Sequence, residues 1–196
     1  VIAERGFDLT ERTISGPKPD RPVGVALAHR SAEECVRSLY GRRAQELFGF
    51  ARRLGLADED ASDAVQETML RLWRELGAGT EVADPDAWAF RVLYRQAIDS
   101  HRLKRRLRAV AERLGGGRRA DEAAADPARL ADVDAVWRAV DRLPERQRAV
   151  LYLRYRADLP YERIGAALAI TPGAARGHAS TGLATLRRRF QEEVEP

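Results

Sequence analysis

An all-α fold of two small helical domains is what the sequence predicts, and three features carry that reading. Apolar residues recur at i, i+3 and i+4 through most of residues 31–190, while no stretch alternates apolar and polar residues as a half-buried strand would. The Gly-, Ala- and charge-rich run GGGRRADEAAADPAR divides the helical pattern into two blocks and reads as a flexible linker. These shifts give a leader over residues 1–30, a first domain over 31–106, a linker over 107–131 and a second domain over 132–196.

Residues 1–30 hold three prolines, three glycines and balanced charge without periodicity, the composition of a flexible leader. Ser31 with Glu34 makes a capping box. Val36, Leu39, Tyr40, Leu47, Phe50, Ala51 and Leu54 follow at helical spacing until Gly55 offers a C-cap. A second helix begins in the acidic cluster Asp58-Glu59-Asp60, where negative charge suits a helix N-terminus, and stops at Gly77. Its core stripe is Ala61, Val65, Met69 (or Thr68), Leu72 and Leu76. Asp63, Gln66, Glu67, Leu70 and Trp73 fall largely outside that stripe, which leaves a Leu and a Trp beside acids on a second face. Periodicity alone fits equally a Trp73 folded back over the core edge.

Asp84-Pro85 is an N-cap followed by proline at the first helical position. The helix it opens carries Trp88, Phe90, Val92, Leu93, Tyr94, Ala97 and Ile98, apolar nearly all round, and runs into the basic SHRLKRRLR. Trp88, Phe90 and Tyr94 interleaved with Arg91 and Arg95 are the makings of a surface that stacks unpaired bases and holds phosphates. A buried central helix with a solvated basic tail explains the same letters. In the second block Val133, Val136, Trp137, Val140 and Leu143 make one helix, and Pro144 opens the next, with Val150, Leu151 and Tyr155 inward.

The stretch from Leu159 to Arg189 has the pattern of a helix-turn-helix. Tyr161, Ile164 and Leu168 share one helical face behind Pro160, which suits a first-turn position. Ala169-Ile170 breaks the pattern. Thr171 and Pro172 then cap and start a longer helix that buries Ala175, Ala179, Gly182, Leu186 and Phe190. Arg176, Gly177, Ser180 and Thr181 project from other faces of its N-terminal half, the half that enters the major groove in such motifs. An αα-hairpin within a helical core is the bland alternative.

Charge supports a nucleic-acid partner. The net charge is only +4, but of the 34 basic residues all except Lys18 and Lys104 are arginine, the side chain suited to forked phosphate and guanine contacts. His101 to Arg119 holds eight basic residues against Glu112, and Ala120 to Asp134 reverses the sign with five acids against Arg129. No run approaches the ~20 apolar residues of a spanning helix, and VIAERGFDLTERT lacks the apolar core of a secretory signal, so a cytoplasmic chain without membrane insertion is expected. Cys35 is the single cysteine and cannot form an internal disulfide. His29, His101 and His178 have no metal-ligand spacing, so no metal or other cofactor is expected. No GxxxxGK[ST] loop, HExxH or paired nucleophile and base is present, so the chain is expected not to be an enzyme.

Two separated blocks resemble the bacterial sigma factors of the extracytoplasmic function type. DAVQETMLRLWRE resembles the second-region helix that grips the polymerase clamp, DPDAWAFRVLYRQAIDSHRLKRR the promoter-melting helix, and LPERQRAVLYLRYRADLPYERIGAALAITPGAARGHASTGLATLRRR the fourth region. The resemblance covers about residues 36–106 and 133–190. It implies a contact to core RNA polymerase through Asp63, Gln66, Glu67, Leu70 and Trp73. It implies minus-ten DNA on Trp88, Arg91, Tyr94, Arg95, Asp99 and Arg102, with the loop from Gly77 to Asp84 receiving an extruded base. It implies minus-thirty-five DNA on Arg146, Arg154, Tyr161, Thr171, Arg176, His178, Ser180, Thr181, Arg187 and Arg188, with Arg189 closing the basic run. Promoter DNA and an anti-sigma factor are the further partners it implies.

Three positions depart from the family pattern. Ala169 stands where relatives usually carry glycine in the turn, Arg95 stands where the melting helix usually carries asparagine, and Ala174, Gly177 and Gly182 leave the recognition helix with few long side chains. The rival function is a helix-turn-helix repressor or activator that is not a polymerase subunit, which needs no Asp63 to Trp73 outer face. A recombinase-like enzyme needs a nucleophile among clustered arginines, and Ser62 and Ser100 lack that company.

Overall fold

A computed structural model describes residues 23–113 and 131–192 of the chain. Within them lie seven helices and no strand: α1 (Val23–Arg53), α2 (Asp58–Gly77), α3 (Pro85–Arg113), α4 (Ala131–Asp141), α5 (Glu145–Tyr155), α6 (Tyr161–Leu168) and α7 (Pro172–Glu192). The all-α expectation holds. The boundaries are wider than the sequence indicated. Residues 23–30 belong to α1, so Ser31 lies inside a helix and is no N-cap, and residues 107–113 extend α3 into the expected linker. The remainder of the leader and linker, residues 1–22 and 114–130, lies outside the described residues.

The ends of the helices follow local chemistry. Gly55, at φ +92°, closes α1, with its N–H donating to Arg52 O at 2.9 Å and the Leu56 N–H to Ala51 O at 3.2 Å. Asp84 caps α3 by accepting the Ala87 N–H at 3.0 Å. Thr171 caps α7 in the same way through the Ala174 N–H at 3.1 Å. Pro160 precedes α6 as its cap residue with extended ψ of 157° and does not occupy the first turn.

Core stripes match the 3.6-residue period. Ala61, Val65, Thr68, Met69 and Leu72 are buried on α2. Thr68 is tolerated there because its hydroxyl donates to Ala64 O at 2.7 Å. Phe50 meets Phe90 edge to face at 5.4 Å, tying α1 to α3. Ala175, Ala179, Gly182 and Leu186 are buried on α7 as expected, and α7 packs on α5 and α6. Three residues expected inside are not. Tyr40 is 52% exposed because it sits about 100° round the helix from the buried Leu39, and Tyr155 and Val136 are also exposed. On α5 the buried run is Ala149 to Leu153.

The two blocks pack against each other. Their buried residues form one continuous core, in which α6 packs on α3 and α5 on α1. Glycine makes one of these approaches possible: a Cβ on Gly49 would lie 2.3 Å from the Tyr152 hydroxyl.

The helix-turn-helix turn depends on two small residues in opposite ways. Ala169 adopts the left-handed conformation, φ 53° and ψ 49°, and a Cβ on Gly165 would lie 2.7 Å from Ile170 O. Ala169→Gly is expected to stabilise the chain by up to ~1 kcal/mol by removing left-handed strain. Gly165→Ala is expected to cost ~1–3 kcal/mol because backbone must move. Chemical denaturation followed by circular dichroism measures both, and equal stabilities for the two variants would contradict this account of the turn.

Candidate protein and nucleic-acid interfaces

On α2 the residues left over from the core stripe form a coherent second face. Asp63, Gln66, Glu67, Leu70 and Trp73 are all exposed, with Leu70 at 48% and Trp73 at 40%. The reading of Trp73 as a core-edge residue is therefore not what the structure shows. Arg74 lies 3.6 Å from Glu67 at the edge of this face. Across from it α1 contributes Val36 and Tyr40, and together with Gln66, Met69, Leu70 and Trp73 they line an open, mostly apolar groove. The sequence reading missed the α1 wall because it counted Tyr40 with the core. The signal was present in the adjacency of Tyr40 to Leu39, since neighbours on a helix cannot both face the same way.

On α3 the exposed residues Arg91, Arg95, Asp99 and Arg102 recur at i, i+4, i+8 and i+11 and so share one face. Arg102 lies 3.6 Å from Asp99. The aromatic members separate from them. Phe90 is fully buried, Trp88 is half-buried, and Tyr94 is only 8% exposed, its hydroxyl donating to Glu145 Oε1 of α5 at 3.2 Å. Burial, and then the charge of Glu145, push the Tyr94 phenol above its ordinary pKa. Of the sequence-proposed minus-ten set, Tyr94 is thus covered by the second domain in this structure, because α6 packs on α3 and Glu145 at the start of α5 takes the Tyr94 hydroxyl.

At the start of α3, Asp84 does more than cap. Arg163 of α6 donates to it through Nε at 2.6 Å and through Nη2 at 2.5 Å, and the same Nη2 reaches Asp86 Oδ2 at 3.1 Å. Burial alone would raise the Asp84 pKa, yet the Arg163 hydrogen bonds, the Ala87 N–H and the guanidinium charge together bring it below the ordinary carboxylate value. Arg163 moves oppositely, held above its usual pKa chiefly by the bond to Asp84. Arg163 was not singled out from the sequence, since nothing local marks a contact formed 79 residues away.

In the second domain Tyr161 is half-buried with two guanidinium groups near its ring, Arg154 at 5.3 Å and Arg176 at 5.5 Å from the ring centre. Arg154 also donates to Leu159 O at 3.1 Å, and Arg176 is paired with Glu162 at 3.1 Å. Arg176 and Ser180 are exposed on α7, and so is Thr181, whose hydroxyl donates to Gly177 O at 2.9 Å; His178 is half-buried. The Thr171 hydroxyl is engaged in capping. Arg146, Arg187 and Arg188 are exposed, the last 3.9 Å from Glu192, whereas Arg189 is half-buried and a poorer phosphate contact. Among the described residues no three His, Cys, Asp or Glu side chains gather where a metal could be held.

This geometry offers an apolar and acidic face on α2, an arginine-lined face on α3 and a helix-turn-helix whose second helix presents its N-terminal half outward. Comparison with known proteins bears on the same segments. The family model for Sigma-70 region 2 matches residues 39–107 and that for Sigma-70 region 4 matches residues 139–188. The ECF RNA polymerase sigma factor SigL of Mycobacterium tuberculosis is 30% identical over 177 residues, covering 88% of this chain and 96% of the relative. The ECF RNA polymerase sigma factor SigE of Mycolicibacterium smegmatis is 28% identical, covering 86% and 68%. The fold is similar to that of the sigma factor RpoE from Bartonella quintana, solved with the anti-sigma factor NepR, at a TM-score of 0.62 and 21% identity over 82% of this chain and 98% of that one. CnrH, solved with the cytosolic domain of CnrY, gives 0.57 at 22% identity over 87% and 96%. The chain belongs to the ECF RNA polymerase sigma factors.

Proposed function

We propose that the chain holds core RNA polymerase through the α2 face of Asp63, Gln66, Glu67, Leu70 and Trp73, places α3 on the minus-ten element and places α7 on the minus-thirty-five element. The observation that carries this reading is the α2 surface, where two large apolar side chains stay exposed on a helix whose core stripe is already complete. A simple repressor has no use for such a face. The groove wall from α1 extends the same surface with Val36 and Tyr40. On α3 the row Arg91, Arg95 and Arg102 supplies cations for the backbone of a separated strand, with Asp99 and Trp88 beside it. In the second domain Arg176 reads a base edge and Arg146, Arg154, Arg187 and Arg188 engage phosphates, with Tyr161, Thr171, His178, Ser180 and Thr181 as positioning or base contacts.

The polymerase performs the chemistry and this chain selects where it begins. The compartment is the cytoplasm, where polymerase and chromosome meet; among the described residues no helix is long and apolar enough to cross a membrane. An anti-sigma protein is a further partner in this reading, as NepR is for the Bartonella protein. Transcription from linear genomic fragments with purified core polymerase, with transcript 5′ ends mapped, tests the whole reading. A new set of starts sharing two upstream elements is expected only when the chain is present, and a mere loss of starts would favour the repressor.

Two sets of substitutions test the assigned faces. Leu70→Ala with Trp73→Ala is expected to preserve the helical spectrum and to weaken polymerase binding by at least ~2 kcal/mol through loss of aromatic and apolar anchors. Unchanged binding by the folded double variant would move the interface elsewhere. For the second domain, Arg176→Ala is expected to cost ~1–3 kcal/mol on a cognate duplex and much less on one altered at the contacted pair, with little change in salt dependence. Arg187→Ala with Arg188→Ala is expected to weaken cognate and scrambled duplexes alike and to flatten the salt slope by about one unit per lost phosphate contact. Titrations on both duplexes at several salt concentrations separate the two roles.

A further inference from the structure

Arg176 is an exposed arginine whose guanidinium is nevertheless held at two points. It sits one turn into α7, 5.5 Å from the centre of the Tyr161 ring, and its Nη2 donates to Glu162 Oε1 at 3.1 Å. Both partners stand at the start of α6, and the turn fixes how α6 meets α7. The chain approaches so closely there that a Cβ on Gly165 would lie 2.7 Å from Ile170 O. Tyr161 packs against the core, so its ring is a fixed surface. Arg154 stands 5.3 Å from the same ring and donates to Leu159 O at 3.1 Å.

Stability does not account for Glu162. Its pair with Arg176 is exposed, with side chains at 64% and 60%, and solvent screening leaves such a pair little net worth. On a surface that meets DNA a carboxylate is also a cost, because it repels the phosphates. What the contact changes is the freedom of the arginine. A long side chain that is already oriented loses less rotamer entropy on binding, and a planar guanidinium makes a forked base contact only in one orientation. Of its five N–H donors the bond to Glu162 takes one, which leaves a pair for O6 and N7 of a guanine. Arg188 shows the contrast. Its carboxylate, Glu192, is 3.9 Å away and one turn along the same helix, an arrangement that suits a phosphate contact, where charge matters more than orientation.

We propose that Glu162 is a positioning residue for promoter specificity: with the Tyr161 ring it holds the Arg176 guanidinium in the orientation that reads one base pair of the minus-thirty-five element, without touching DNA itself. The proposal rests on the reading of Arg176 as a base contact. A duplex with the wrong pair gains nothing from an oriented arginine. Loss of Glu162 therefore lowers discrimination, while removal of its negative charge leaves or raises affinity for DNA in general.

The test uses the full chain with core polymerase and a linear promoter duplex taken from the mapped starts, with each pair of the upstream element replaced in turn. The measured quantity is the ratio of affinities for the unaltered and the altered duplex at each pair. Arg176→Ala is expected to flatten this ratio at one pair. Glu162→Ala is expected to lower it ~3–10-fold at that pair alone, the effect of one long side chain no longer ordered in advance. Affinity for a random-sequence duplex is expected to stay level or rise. In the Arg176→Ala background, Glu162→Ala is expected to change no ratio.

Glu162 also lies in the first turn of α6, where negative charge suits a helix N-terminus, and two further variants separate that role. Glu162→Gln keeps the reach and an acceptor without the charge, and Glu162→Asp keeps the charge but is one methylene shorter. Gln is expected to retain more of the discrimination than Asp. The reverse order overturns the proposal and leaves Glu162 as a helix-end charge. Unchanged ratios for Glu162→Ala, or an equal fall at every pair, overturn it too, and a fall confined to a different pair makes Glu162 a base contact instead. Failure of the underlying reading is distinguishable, because Arg176→Ala itself would then flatten no pair, whereas a wrong role for Glu162 leaves the Arg176→Ala effect in place.

Discussion

The arrangement depends on one constraint, that α3 is apolar on more sides than its own domain covers. Ala89, Phe90, Leu93 and Ala97 are consumed by packing within the core, and Val92 and Tyr94 are buried as well. Helices α1 and α2 pack on α3 from the first domain, and α6 supplies a further neighbour from the second. Apolar surface of this extent costs free energy while it faces water, roughly 25 cal/mol per Å², so a helix built this way is driven to find a cover. In the docked chain that cover is the helix-turn-helix domain. In the proposed reading the same helix also serves the promoter, and the two covers would then compete for it.

Around this constraint the polar residues act as selectors rather than as a source of bulk stability. Asp84 caps α3 and at the same time receives Arg163, so the start of the helix and the placement of α6 are fixed by one carboxylate. The pair is partly exposed, with side chains at 36% and 33%, and solvent screening keeps its net stabilisation modest. Its consequence is geometric. Apolar contact holds the seam between the domains together, and the directional Arg163 fork sets where α6 lies on α3. The α2 face stands outside this seam and stays exposed in the docked chain.

Much of the helical layout was legible in the sequence because it is local. Asp84-Pro85 and Thr171-Pro172 announce helix starts through short-range chemistry, and the α7 stripe from Ala175 to Leu186 announces its buried face. The surplus face of α2 was legible for the same reason, since five residues off a complete stripe need explaining. Where the reading failed, adjacency or distance was at fault. Tyr40 sits beside the buried Leu39, and an apolar-letter count takes both neighbours, whereas Tyr155 lies one turn past the buried Leu151 at the last residue of α5, where the packing ends. The start of α1 at Val23 was hidden by glycine and proline in the leader, although a helix needs neither a cap box nor strong propensity when tertiary packing supports it. The seam itself was not legible at all, because Arg163 with Asp84 and Tyr94 with Glu145 are pairs set by tertiary approach.

The central claim is that the surplus face of α2 is where the chain meets core polymerase. The direct measurement is photo-cross-linking to core polymerase from a benzophenone on the exposed position Gln66→Cys in α2, with Ala184→Cys in α7 as the control position and Cys35→Ser to remove the native thiol. A cross-link to a polymerase subunit is expected from position 66 in the complex formed without DNA, and little from position 184. A labelled chain that initiates transcription yet gives no cross-link from position 66 would contradict the account.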